Sequence, residues 1–212
     1  MKKLILIIAL ICFNNHSNAQ IGNYPEGIYM DLQEVLDKAP SKTAHVELEH
    51  RTPGKIKMNG GNDYQINALD KDVKRSYFLK EVFAYSDGTD LYMNCFKYEL
   101  QYWYSKVEGE NENFFFFKAG IPMNPKKFGL ENSDVSYMFG GIVGAFGAAK
   151  RALIRLPYVL DKHTKAPILV SQKNIRDYIG GSPGLVEAYN NETEKDAIEV
   201  LSKYLLMWIN EH

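Results

Sequence analysis

Apolar positions along the chain change their spacing several times, and each change predicts an element. In Asp31–Ala39, Leu32, Val35 and Leu36 share a helical face. Asp31 stands where an N-cap belongs, and Pro40-Ser41 ends the helix. From Lys42 the period becomes two. In His45–His50, Val46 and Leu48 point one way while His45, Glu47 and Glu49 point the other, the pattern of a half-buried strand. Pro53-Gly54 and Asn59-Gly60-Gly61-Asn62 read as turn signals around further short strands. Two hairpins are then predicted. The first spans Tyr77–Tyr98, with arms FLKEVFAY and LYMNCFKY around Asp87-Gly88, which supplies the positive φ of a tight turn. The second pairs Gln101–Val107 with Phe114–Lys118 across the polar Glu108–Asn113. Its four consecutive phenylalanines, Phe114–Phe117, are apolar on both faces, so that strand is expected to be covered on both sides.

The period then changes again. Within Tyr137–Asp161, Gly140, Gly144, Ala148 and Ala152 recur every four residues, giving a helix one face nearly free of side chains. Arg155–Asp161 and Ile168–Val170 read as another strand pair. Ser171 is expected to cap a helix through Ile179, and Ser182-Pro183 to start another with proline in its first position. Thr193 with Asp196 resembles a capping box for a last helix over Glu194–Asn210, striped by Ile198, Leu201, Leu205 and Trp208. The expectation is an α+β fold. It has a mostly antiparallel sheet in the N-terminal two-thirds, a Gly/Ala-rich central helix and C-terminal helices.

Composition adds a location. Met1–Ala19 has a basic start (Lys2, Lys3), an apolar run Leu4–Phe13 and a polar end at Ser17-Asn18-Ala19, the pattern of a signal peptide cleaved after Ala19. The apolar run is half the length of a membrane span. A secreted or periplasmic protein with one domain over residues 20–212 is expected. Losing the two leader lysines takes the formal charge from −1 to −3, which gives no electrostatic argument for nucleic acid. Of the two cysteines, only Cys95 follows the leader, so no internal disulfide can form.

Candidate chemistry is sparse. Gly180–Gly184 matches G-x-S-x-G, but Pro183 lacks the N–H that a nucleophile elbow uses after its serine, so Ser182 reads as a helix cap. His45, Glu47 and Glu49 share a strand face that has metal-ligand residue types but no HExxH or cysteine pair, and a solvated face is the simpler account. Asn62, Asp63, Asp87 and Asp90 fall outside calcium-loop spacing and read as turn residues. Cys95 reads as a buried small hydrophobe. No catalytic residue, metal or cofactor is expected.

Fourteen tyrosines supply apolar bodies with polar tips. Tyr98, Tyr102, Trp103 and Tyr104 cluster between the hairpins as a candidate platform for a sugar ring or a partner, against the alternative that they are core. The Gly/Ala stretch, residues 137–154, is a candidate for assembly or membrane contact. Its uncharged part, Tyr137–Ala149, is too short for a full span.

Taken together, Gly27-Ile28-Tyr29, Gly60-Gly61-Asn62-Asp63-Tyr64, the hairpin Tyr85–Asn94 and the segment from Tyr158 to Ser171 resemble secreted proteins of Bacteroidota-type bacteria grouped as a family of unknown function. The resemblance implies an exported bacterial protein and carries over no catalytic residue. The function expected is a non-enzymatic module binding a protein, glycan or lipid. The alternatives are envelope assembly through residues 137–154 and, third, a hydrolase or metal-dependent enzyme.

Overall fold

A computed structural model describes residues 21–43, 45–130 and 148–212. The leader and residues 137–147 of the Gly/Ala stretch lie outside the described residues. The expected α+β class with a mostly antiparallel sheet is what the chain adopts. Strands β1 (Gly27–Tyr29), β2 (Val46–His50), β3 (Tyr64–Ala68), β4 (Ala84–Ser86), β5 (Leu91–Asn94), β6 (Tyr104–Glu110), β7 (Phe114–Ala119), β8 (Leu156–Asp161) and β9 (Pro167–Leu169) form a nine-stranded sheet. Its order is β1-β4-β5-β6-β7-β8-β9, and the β2–β3 hairpin joins β6 through the pair Tyr64↔Tyr104. All these pairings are antiparallel.

The sheet is covered on both faces along β7. Phe115 and Phe117 enter one core with Met93, Tyr158 and Leu160. Phe116 faces the other way, into a cluster with Ile175, Ile179, Leu201 and Leu205 from the C-terminal helices α5 (Ile175–Ile179) and α7 (Ile198–Glu211). That is the two-sided strand expected of four consecutive phenylalanines. A third cluster joins Ile66, Tyr104 and Trp103 to Phe78 and Val82.

Several elements differ from expectation. The hairpin turn at Asp87-Gly88 is present, but its arms shrink to β4 and β5. Arg75–Lys80 is the helix α3 and Cys95–Tyr98 a 3-10 turn. The helix is fixed from a distance. Asn94 donates its amide to the carbonyls of Phe78, Leu79 and Val82 at 3.2, 2.9 and 2.7 Å, satisfying groups a helix end leaves open. Pro53-Gly54 is no turn. Thr52 caps α2 (Pro53–Asn59) by accepting from the Lys55 N–H, with Pro53 in the first helical position.

The remaining helices are α1 (Leu32–Leu36), capped by Asp31 as expected, α4 (Ala148–Arg151) and α6 (Pro183–Asn190). α7 starts at Ile198 after Ala197, without the Thr193–Asp196 capping box. Ser182 occupies the N-cap position of α6, but its hydroxyl donates to Glu211 instead. Among the described residues no helix is long and apolar enough to cross a membrane.

Candidate functional site

The Gly60-Gly61-Asn62-Asp63 run sits at the join between the β2–β3 hairpin and the rest of the sheet. Asn62 is fully buried. Its amide donates to the carbonyls of Leu100 and Tyr102 at 2.8 and 3.1 Å, and its side-chain oxygen accepts the Gly120 N–H at 2.7 Å. Asp63 takes a forked contact from Arg155, at 3.0 and 2.9 Å from Nε and 2.8 Å from Nη2, and Arg155 also donates to the Gly61 carbonyl. Gly61, Asn62 and Asp63 thus clamp three separate segments.

What they clamp is an unusual loop. Glu99, Gln101 and Trp103 have φ of 60°, 75° and 75°. Positive φ is an outlier for a bulky side chain and costs on the order of 1–3 kcal/mol where the surroundings impose it. The bonds from Asn62 and a bond from the Cys95 N–H to the Trp103 carbonyl, 3.0 Å, hold the backbone there. Consequently Trp103 turns toward the hairpin and Tyr102 away from the core.

Between this loop, β2, α2 and α3 lies a cleft of about 610 Å³. Arg51, Lys55 and Arg75 line it against a single carboxylate, Glu49, with Asn59, Gln65, Ser76, Tyr102 and Trp103 completing the walls. Arg51 is 4% exposed and donates from Nη1 to the Asn62 carbonyl at 2.7 Å. Arg75 donates from Nη2 to Gln65 at 2.9 Å, and its guanidinium carbon lies 4.3 Å from the centre of the Trp103 ring. Neither arginine forms a salt bridge with a described carboxylate.

The nearby acids are already engaged: Asp63 with Arg155, and Glu49 with Lys55 and Asn67. The Lys55 bond, assisted by Asn67, holds Glu49 below the usual carboxylate range. Burial lowers the Arg51 pKa. The Glu49 charge opposes that shift, and the charges of Arg155 and Arg75 reinforce it. Arginine stays ionised through such shifts, so the cleft carries a positive field inside a mildly acidic protein.

The expected aromatic platform divides. Tyr102, 44% exposed, stacks on Phe96 with centroids 5.3 Å apart and planes at 14°, and Trp103 lines the cleft beside it. Tyr104 is buried, its hydroxyl donating to the Phe78 carbonyl. Tyr98 packs edge-on against Phe83 at the core, and burial raises its pKa. The cationic residues were not visible as a set in the sequence. Arg51 follows β2 and Arg75 opens α3, and the packing of α3 on the β2–β3 hairpin, with Arg75 bonded to Gln65, brings them together.

Other candidates resolve simply. Among the described residues no group of three or more His, Cys, Asp or Glu side chains is placed to hold a metal. His45 lies 3.7 Å from Asp70 at the surface while Glu49 turns into the cleft wall. Asp87 accepts from the N–H groups of Thr89 and Asp90, and Asp90 pairs with Lys106 at 2.7 Å. Cys95 is buried against the Ser105 hydroxyl, in a 3-10 turn where a strand was expected, and burial pushes its thiol up to about 12. A second groove beside α3, about 560 Å³, mixes Lys42, Lys74 and Lys80 with Asp72 and Glu81 and gathers no comparable set of donors.

No curated protein and no solved structure matches the chain with significance. Residues 27–212, which include every residue of the cleft, match the family of unknown function DUF6563, and the chain belongs to that family.

Proposed function

We propose that the protein is a non-enzymatic, exported binding module whose ligand site is the cleft between β2, α2, α3 and the Tyr102–Trp103 loop. One observation carries this reading. Two arginines with no carboxylate partner among the described residues converge with two aromatic rings in one concave site, and the loop presenting the rings is held in a costly conformation. Such strain clusters where a side chain must be aimed, and the Asn62 clamp aims these two. Export is supported by the Met1–Ala19 pattern.

A thermal-shift panel of glycans, lipids, peptides and nucleotides on the wild type and Tyr102→Ala tests it. A ligand at a hundred times its dissociation constant adds about 2.7 kcal/mol, or roughly 5–11 °C for a domain of this size. At least one ligand is expected to stabilise the wild type by that much and Tyr102→Ala markedly less. Equal stabilisation of both proteins by every active ligand would contradict the assignment, as would a panel with no shift.

A further inference from the structure

We infer that the cleft reads an acidic saccharide, with the ligand's oxyanion set between Arg51 and Arg75 and a sugar ring against Tyr102. The inference rests on the binding-module reading and names the ligand class of that same site. The oxyanion is a carboxylate, sulfate or phosphate, which present the same acceptors to a guanidinium.

The donors come first. A guanidinium carries five N–H groups in a planar fork. Arg51 uses Nη1 on the Asn62 carbonyl, and Arg75 uses Nη2 on Gln65. The Arg75 guanidinium carbon lies 4.3 Å from the centre of the Trp103 ring, and Nη2 is the donor it commits to Gln65. Edge donors are what a bidentate oxyanion needs, and a planar fork loses little entropy in supplying them.

The field points the same way. Arg51 is buried; the charges of Glu49 and Asp63 favour its own, and those of Arg155 and Arg75 oppose it. Asp63, the acid beside them, is committed to Arg155. Arg51 has no salt bridge to a described carboxylate, and a ligand anion set against its free edge supplies one.

The remaining walls choose the carrier. Asn59 and Ser76 offer an amide and a hydroxyl, groups that match sugar hydroxyls as both donors and acceptors, while Gln65 is held by Arg75 and Asn67. Tyr102, backed by Phe96, offers a rigid exposed ring for the C–H face of a pyranose. An acidic peptide or an inorganic anion would use the arginines and leave this half of the site unused.

Calorimetry tests the inference with sialyllactose, a galacturonate oligomer and a sulfated disaccharide. Lactose and the methyl-esterified oligomer serve as neutral counterparts, and poly-glutamate and inorganic sulfate as carriers without a sugar. At least one acidic saccharide is expected to bind tenfold or more tightly than its neutral counterpart. Replacing Arg51 risks the fold, so the exposed Arg75 carries the test, with folding checked by circular dichroism. Arg75→Gln and Tyr102→Ala are each expected to weaken binding about tenfold or more, the scale of one charge-assisted bond or one stacked ring.

Failure of every acidic saccharide to bind, or binding no tighter than the neutral counterparts, overturns the inference. Poly-glutamate or sulfate binding as tightly as the sugars, indifferent to Tyr102→Ala, overturns the saccharide and keeps an anion site. A ligand lost in Tyr102→Ala but unchanged in Arg75→Gln overturns the oxyanion while the binding-module reading stands.

Discussion

The Arg75 guanidinium lies over the ring of Trp103, 4.3 Å from its centre, although the two residues come from separate elements and Trp103 holds a φ of 75°. The contact ties α3 to the strained loop and fixes both walls of the cleft. It also orders Arg75 before any ligand arrives, so less entropy is lost on binding. Trp103→Leu is predicted to keep the fold while loosening Arg75. The check is ligand affinity at two salt concentrations. Affinity should fall severalfold, with salt dependence retained because the charge remains.

Gly61 has no room for a side chain. A Cβ there would meet Arg51 Nη1 and Trp103 Cδ1 at 2.9 Å and the Tyr102 carbonyl oxygen at 3.1 Å, on a residue with φ of 86°. Gly61→Ala should lower stability by about 1–3 kcal/mol by urea unfolding, from backbone strain and crowding together. Gly129 is the control. It caps a 3-10 turn with φ of 68°, and a Cβ there would meet no described atom within 4 Å, so Gly129→Asn should cost only a few tenths of a kcal/mol.

Asn62→Ala should be among the most damaging single changes outside the apolar core. It removes three side-chain bonds and leaves the buried Gly120 N–H and Leu100 carbonyl to find new partners. A loss of about 3 kcal/mol or more is expected by denaturant unfolding, since each stranded group costs roughly 1–3 kcal/mol. Ligand binding should fall with it even where the variant remains folded, because Tyr102 is no longer aimed.

The buried thiol sets an alkaline limit. Unfolded, Cys95 loses its proton near 9.0; folded, it keeps it to about 12. Between those values the unfolded chain binds fewer protons, so this contribution is complete below pH 9 and is lost as pH rises. Comparing the urea midpoints of wild type and Cys95→Ala across pH 8–11 isolates it. The wild type should decline more steeply from pH 9 upward. Parallel curves would place the thiol in an accessible setting. The folded protein should also resist thiol reagents at pH 8 until denaturant is added.

Those predictions rest on contacts of unequal legibility. The period-two pattern of β2, the double-faced Phe114–Phe117 strand and the β8–β9 pair were readable because each obeys a local rule. Arg75–Lys80 was not. Its aromatic neighbours favour a strand, and the helix is held by Asn94, whose amide reaches back to three carbonyls. Pro53 was readable and misread, since Thr52-Pro53 is an N-cap followed by a first-turn proline. At the site, Tyr102 and Trp103 stood out as aromatics. Arg51 and Arg75 did not, because what distinguishes them is their convergence on one cleft without a salt bridge to a described carboxylate, and that is a property of tertiary structure alone.

Amide chemical-shift mapping during a titration with an acidic oligosaccharide tests the central claim most directly. If the cleft is the ligand site, the shifts concentrate at Glu49–Lys55, Arg75–Leu79 and Tyr102–Trp103 and need about tenfold more ligand to develop in Tyr102→Ala. Shifts centred on the groove beside α7, lined by Phe116, Ile154 and Leu206, or scattered over surface lysines, would contradict it.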